Sequence, residues 1–120
     1  MNAKNLERLA MRAIMGLART GSHASNGSGD YVVAFSTHPS VRRPRLSEKP
    51  VASLSLVNAS MSPLFAATAE ATEEAIYNAI FKATTVESDR GIRKAVPIKD
   101  LMRILEKYNA LHWDKNISKN

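Results

Sequence analysis

Ser25-Asn26-Gly27-Ser28-Gly29-Asp30-Tyr31-Val32-Val33-Ala34-Phe35-Ser36-Thr37 is the stretch on which the reading of this 120-residue chain turns. Its first half is small and polar; its second half is apolar. The composition predicts a turn that feeds a strand, an arrangement that places hydroxyls and carboxylates at the rim of a sheet. Residues i and i+2 of an extended segment point to the same side, so the Ser28 hydroxyl and the Asp30 carboxylate are expected to converge. Gly29 between them allows close approach of a ligand, and Gly27 permits the positive φ of a turn. Tyr31, Val33 and Phe35 share one face of the strand, Val32 and Ala34 the other. Both faces are apolar, which predicts a central strand over 31–37 covered on each side.

Working outward, residues 5–19 read as a helix. Leu6, Leu9, Ala10, Ala13, Ile14 and Leu17 fall on one stripe, Glu7, Arg8 and Arg12 lie off it, and Gly21 is placed as the stop. Downstream, Pro39 and Pro44 mark a loop that carries Arg42, Arg43 and Arg45. Val51 to Val57 alternates as a half-buried strand. Ser62, as N-cap, and Pro63 open a helix reaching about Ala83. Its face of Leu64, Thr68, Ala71, Thr72, Ala75, Ile76, Ala79, Ile80 and Ala83 is rich in small residues, so it is expected to pack closely on a sheet or another helix. Glu87 to Gly91 reads as a turn, Ile92 to Val96 as a short strand. Pro97 is expected at the first position of a last helix that buries Leu101, Ile104, Leu105 and Tyr108. Residues 1–110 read as one α/β domain and 111–120, with Trp113, as a polar tail.

The composition bounds the function. Apolar residues make up 44% of the chain and there is no cysteine, which excludes a disulfide framework and fits a cytoplasmic protein. No run is long enough for a membrane span. The net charge of +6 permits an acidic partner without requiring one. His23 and His38 lack companions at metal-ligand spacing, and the solvated Glu70, Glu73 and Glu74 are not joined by a histidine. Gly27-Ser28-Gly29-Asp30 lacks the lysine and the spacing of a P-loop, so no metal and no cofactor is expected.

The motif also carries a resemblance. Leu17 to Ser22, Ser25-Asn26-Gly27-Ser28-Gly29-Asp30 and Val33 to Thr37, then Ser62 to Ile76 and Ala95 to Ile98, resemble in order and spacing the DmpA-like family of L-aminopeptidase/D-esterases and β-peptidyl aminopeptidases, peptidase family S58. The resemblance implies a four-layer αββα sandwich of the N-terminal-nucleophile type. It implies a precursor that cleaves itself into two chains, the second beginning with a serine nucleophile whose own α-amino group is the base. Ser28 and Asp30 then match the family's accessory catalytic serine and acidic residue. Ser28 would help hold the nucleophile's proton network. Asp30 would either orient that network or bind the free amino group of the substrate. Asn26 could add an amide donor, with Gly27 and Gly29 shaping the substrate-binding turn.

The resemblance also shows a departure. The family's nucleophilic serine starts a strand ahead of the first helix, where Met1-Asn2-Ala3-Lys4 stands here, and the chain bearing the oxyanion-hole asparagine has no counterpart. The sequence resembles the C-terminal part of the second subunit, and alone it is expected to be silent. The implied partners are a peptide or amino-acid amide or ester substrate, an upstream peptidase segment and further copies of the chain, with no membrane. The alternative is a non-catalytic basic module that binds an acidic partner or nucleic acid through Arg42, Arg43 and Arg45. No aromatic residue interleaves with these arginines, so nucleic acid is not the expected partner.

Overall fold

A computed structural model describes residues 1–42, 50, 52 and 55–111. They form two compact units, Met1–Tyr77 and Asn78–Asn120.

In the first unit, α1 spans Ala3–Arg19. Asn2 caps it, its Oδ1 accepting the Asn5 N–H at 2.9 Å. The helix stops as its sequence predicts. The Gly21 N–H donates to the Ala18 carbonyl at 3.1 Å, and Gly21 takes the left-handed φ of +95° that a residue with a Cβ avoids. α2 begins in this unit and spans Ser62–Phe81, close to the expected 62–83. Met61, just ahead of it, is fully buried.

The expected close packing of α2 is made with α1, at a point the apolar stripe does not mark. Gly16 is buried against α2 so tightly that a Cβ there would lie 2.4 Å from the Ala69 carbonyl oxygen and 2.8 Å from Thr72 Cβ. Only a glycine on one helix facing alanine and threonine on the other allows backbones this close. The Thr68 and Thr72 hydroxyls donate to the Leu64 and Thr68 carbonyls, at 2.7 and 2.8 Å, so neither is left unsatisfied at the crossing. Arg19 Nε reaches Glu73 Oε2 at 2.8 Å one turn further on. At the other end, Asn5 is buried and its Nδ2 donates to Ser55 Oγ at 3.2 Å and to the Leu56 carbonyl at 3.3 Å. These bonds hold the chain leading into α2 against α1.

The central strand expected over 31–37 is not formed. Residues 31–37 belong to no helix or strand, and their backbone groups make no backbone hydrogen bond among the described residues. Tyr31, Val33 and Phe35 are 92%, 83% and 75% exposed, whereas Ala34 and Ser36 are half-buried. The two-residue alternation is as predicted; the burial is not. A strand exists through its neighbours' hydrogen bonds, and no neighbour lies beside this one among the described residues. Of the strand expected over 51–57, residues 51, 53 and 54 lie outside the described residues, and 55–57 are in no strand.

In the second unit, β1 (Val86–Ser88) pairs antiparallel with β2 (Gly91–Arg93), Ser88 opposite Gly91. Asp89 and Arg90 make the turn, and Gly91 has φ +102°. The strand expected over 92–96 is thus one residue earlier and shorter, because its partner is only three residues long. α3 spans Ile98–Lys107. Pro97 caps it rather than occupying its first turn, its carbonyl accepting the N–H groups of Asp100 and Leu101 at 3.0 Å. Leu101 and Leu105 are half-buried beside Phe81, Ile98 and Met102. Ile104 and Tyr108, expected in the buried stripe, are 53% and 72% exposed, since nothing covers that edge of the helix among the described residues. The tail residue Trp113 lies outside the described residues. Among the described residues the architecture is mixed α/β, with three α-helices and one two-stranded antiparallel sheet. Among the described residues no helix is long and apolar enough to cross a membrane.

Candidate active site

The polar half of the motif is a hydrogen-bonded β-turn. The Ser28 N–H donates to the Ser25 carbonyl at 2.9 Å, with Asn26 and Gly27 between. Gly27, third in the turn, has φ +91°, the position that glycine fills in a type II turn. The turn delivers Ser28, Gly29 and Asp30 to the segment that follows.

Ser28 and Asp30 meet as their spacing predicts. Ser28 Oγ donates to Asp30 Oδ2 at 2.6 Å, a length typical of a hydroxyl bonded to an ionised carboxylate. Asp30 Oδ1 has no hydrogen-bond partner among the described residues. The carboxylate fixes the hydroxyl hydrogen and leaves the oxygen lone pairs of Ser28 free to accept from a third group. Among the described residues no histidine hydrogen-bonds to Ser28. Gly29 leaves the backbone between the two side chains uncovered except by Tyr31. A Cβ at Gly29 would lie 3.4 Å from Tyr31 Cε2. Asn26 is exposed, and its amide makes no hydrogen bond among the described residues.

Residues that the sequence does not connect meet beneath the pair. A cavity of about 350 Å³ is walled by Ala13, Ile14 and Leu17 of α1, Thr72 and Ile76 of α2, and Gly29 to Val32 of the motif. Ile14, Leu17, Thr72 and Ile76 lie on the apolar stripes of their helices. The stripes are legible as periodicity, but which segment they face is set by the chain's return path.

Other residues considered from the sequence fall elsewhere. His38 caps the short turn of Pro39–Val41, its Nδ1 accepting the Ser40 N–H at 3.2 Å and lying 2.7 Å from Ser40 Oγ. It contacts neither Ser28 nor Asp30. His23 is exposed. Arg42 follows the His38 turn, and Arg43 and Arg45 lie outside the described residues. No three His, Asp or Glu side chains gather around a common point among the described residues.

Known proteins are similar to this chain in sequence, and one solved structure is similar to it in fold. The model of peptidase family S58 matches residues 1–94. A β-peptidyl aminopeptidase, BapA, of Sphingosinicella microcystinivorans is 37% identical over 107 residues, 88% of this chain and 27% of the relative. BapA of Sphingosinicella xenopeptidilytica is 34% identical over 105 residues, 84% of this chain and 25% of the relative. The crystal structure of the PH0078 protein from Pyrococcus horikoshii OT3 is similar with a TM-score of 0.73 and 47% identity, over 90% of this chain and 30% of that one. The chain spans about a quarter of the length of the curated relatives it matches. With most of its length matched by the family's model, the chain belongs to peptidase family S58.

Proposed function

We propose that this chain supplies the accessory hydroxyl and carboxylate of a serine-type, self-processing aminopeptidase, and that it is the C-terminal portion of the nucleophile-bearing subunit. The reaction is acyl transfer from a peptide, amide or ester to an N-terminal serine, followed by hydrolysis that releases the substrate's N-terminal residue. The Ser28–Asp30 bond of 2.6 Å carries this reading. Asp30 holds the Ser28 hydrogen, so Ser28 Oγ accepts an N–H of the nucleophile's neutral α-amino group and orients that nitrogen's lone pair toward the attacking hydroxyl, whose proton it takes. Asp30 Oδ1, without a partner among the described residues, takes the free amino group of the substrate. Asn26 stands on the same turn as an amide donor.

The nucleophile and the oxyanion-hole asparagine belong to the remainder of the fold, so the 120-residue chain alone is catalytically silent. The same remainder supplies the strands that complete an αββα sandwich. Two observations support this. The Tyr31–Val33–Phe35 face is open, and residues 31–37 carry backbone groups without partners among the described residues. In a single α/β layer such a strand is a liability; between strands it is a core element.

The test uses the complete peptidase that contains this chain, assayed on amino-acid amides and p-nitroanilides. Ser28→Ala and Asp30→Asn should each lower kcat/KM by about 10²- to 10⁴-fold, the range of positioned proton-transfer groups. Near-native turnover by Ser28→Ala would overturn the reading. So would rapid amide hydrolysis by the isolated 120-residue chain that Ser28→Ala abolishes.

A further inference from the structure

Asn26 is the only asparagine of the chain that is followed by a glycine. The two residues occupy the centre of the Ser25–Ser28 turn, and both are exposed. The Gly27 N–H makes no hydrogen bond among the described residues, and the Asn26 side-chain amide is equally free there. Beyond its chain neighbours, no atom lies within 4 Å of where a Cβ on Gly27 would stand. Among the described residues the turn is closed by one hydrogen bond, from the Ser28 N–H to the Ser25 carbonyl. A turn held by one exposed bond opens at little cost.

The other asparagines differ. Asn2, Asn58, Asn78 and Asn109 precede alanine. Asn58 Oδ1 accepts from Arg8 at 2.7 Å, and Asn78 lies inside α2, where the following N–H belongs to the helix. Asn5 is buried, its amide donating to Ser55 Oγ and the Leu56 carbonyl.

We propose that Asn26 is a site of spontaneous intramolecular deamidation, which converts the turn ahead of Ser28 to an aspartyl or isoaspartyl form. The Gly27 nitrogen attacks the Asn26 side-chain carbonyl carbon. The new N–Cγ bond closes a five-membered succinimide, the Cγ–Nδ2 bond breaks, and ammonia leaves with the proton that Gly27 gives up. Solvent water then opens the ring. Opening at Cγ leaves an aspartate at position 26. Opening at the backbone carbonyl leaves an isoaspartate, whose main chain runs through Cγ. A side chain after the asparagine would crowd the attacking nitrogen; glycine does not, and its backbone freedom lets the nitrogen reach Cγ.

Both products place a new carboxylate two residues ahead of Ser28. The isoaspartyl product also lengthens the main chain by one carbon within the turn. The Ser25–Ser28 bond then loses its geometry, and with it the direction in which Ser28 and Asp30 are delivered. Asn26 is thus a slow, irreversible clock on the motif.

The experiment incubates the purified 120-residue chain at neutral and mildly alkaline pH. Peptide mapping by mass spectrometry, an isoaspartate assay and released ammonia follow the reaction. Conversion should be confined to the peptide that carries Asn26, with one ammonia released for each site converted. The rate should rise by up to about tenfold per pH unit, because the attacking amide must lose its proton. Asn26→Gln changes an exposed turn position, so circular dichroism should be unchanged. It should abolish conversion at this site, since attack would need a six-membered ring. Gly27→Ala should slow conversion by about tenfold or more, through the crowding that a Cβ introduces. A synthetic peptide spanning residues 22–33 serves as the unstructured reference. If the peptide converts and the folded chain does not, the fold protects the turn and the proposal is overturned. Conversion elsewhere in the chain as fast as at Asn26 overturns it too, as does a rate indifferent to pH or to Gly27→Ala.

Discussion

Ser28 and Asp30 form a 2.6 Å hydrogen bond across a single glycine, in a segment that has no hydrogen-bonded neighbour among the described residues. The pair is thus assembled by local geometry, the turn at Ser25–Ser28 and the two-residue alternation after it. This separates two ways of damaging it. Ser28→Ala or Asp30→Asn removes the chemistry and should leave thermal stability within about 0.5 kcal/mol, as for other exposed polar sites. The expected loss of about 10²- to 10⁴-fold in kcat/KM of the complete peptidase would then come without a matching loss of folded protein. Denaturant melts run beside the kinetics check this.

Gly27 sets the direction in which the pair is delivered. Its φ of +91° suits glycine and strains any residue with a Cβ. Open space surrounds the site of a Cβ there, so the cost of Gly27→Ala is conformational, about 1–3 kcal/mol. Activity should fall in the complete peptidase because the turn relaxes and the Ser28–Asp30 geometry with it. Gly27→Asn should be milder, since asparagine tolerates the left-handed region. Equal activity for alanine and asparagine at this position would refute the account.

Gly16 makes the closest approach of the two long helices. An alanine Cβ would meet the Ala69 carbonyl oxygen at 2.4 Å, and backbone on α2 yields less readily than a side chain. Gly16→Ala should therefore destabilise the chain by about 1–3 kcal/mol through overpacking. That outcome runs against the gain of about 1 kcal/mol that alanine brings to an unconstrained helix. The sign of the change in an equilibrium urea melt distinguishes the two.

Asn5 is buried and donates to Ser55 Oγ and the Leu56 carbonyl. Asn5→Leu keeps the bulk and removes both bonds, leaving the Leu56 carbonyl, among the described residues, only the long bond from Ser55 Oγ at 3.4 Å. The expected cost is about 1–3 kcal/mol. Amide exchange should quicken at the entrance to α2 before it quickens across the helix pair at Gly16. Uniform loss of protection would show that the tether is not a separate local contact.

Much was determined by the sequence alone. Period 3.6 in residues 5–19 and 62–83 and period 2 in 31–37 come from which side chains are apolar. Gly27 reads as a positive-φ turn position and Gly21 as a helix stop because neither carries a Cβ, and the Ser28–Asp30 pairing follows from spacing across one residue. These are short-range properties, decided by steric and hydrogen-bonding rules that act within a few residues. Tertiary structure alone decided which surfaces those elements use. Gly16 reads as a mild helix defect until Ala69 and Thr72 arrive from more than fifty positions away. The apolar run 31–37 carries every local mark of a buried strand, and Tyr31, Val33 and Phe35 are exposed because burial needs a partner as well as a pattern. The cavity under Asp30 draws on three segments at once. Its existence depends on how the chain returns on itself, a long-range contact set that no window of residues encodes.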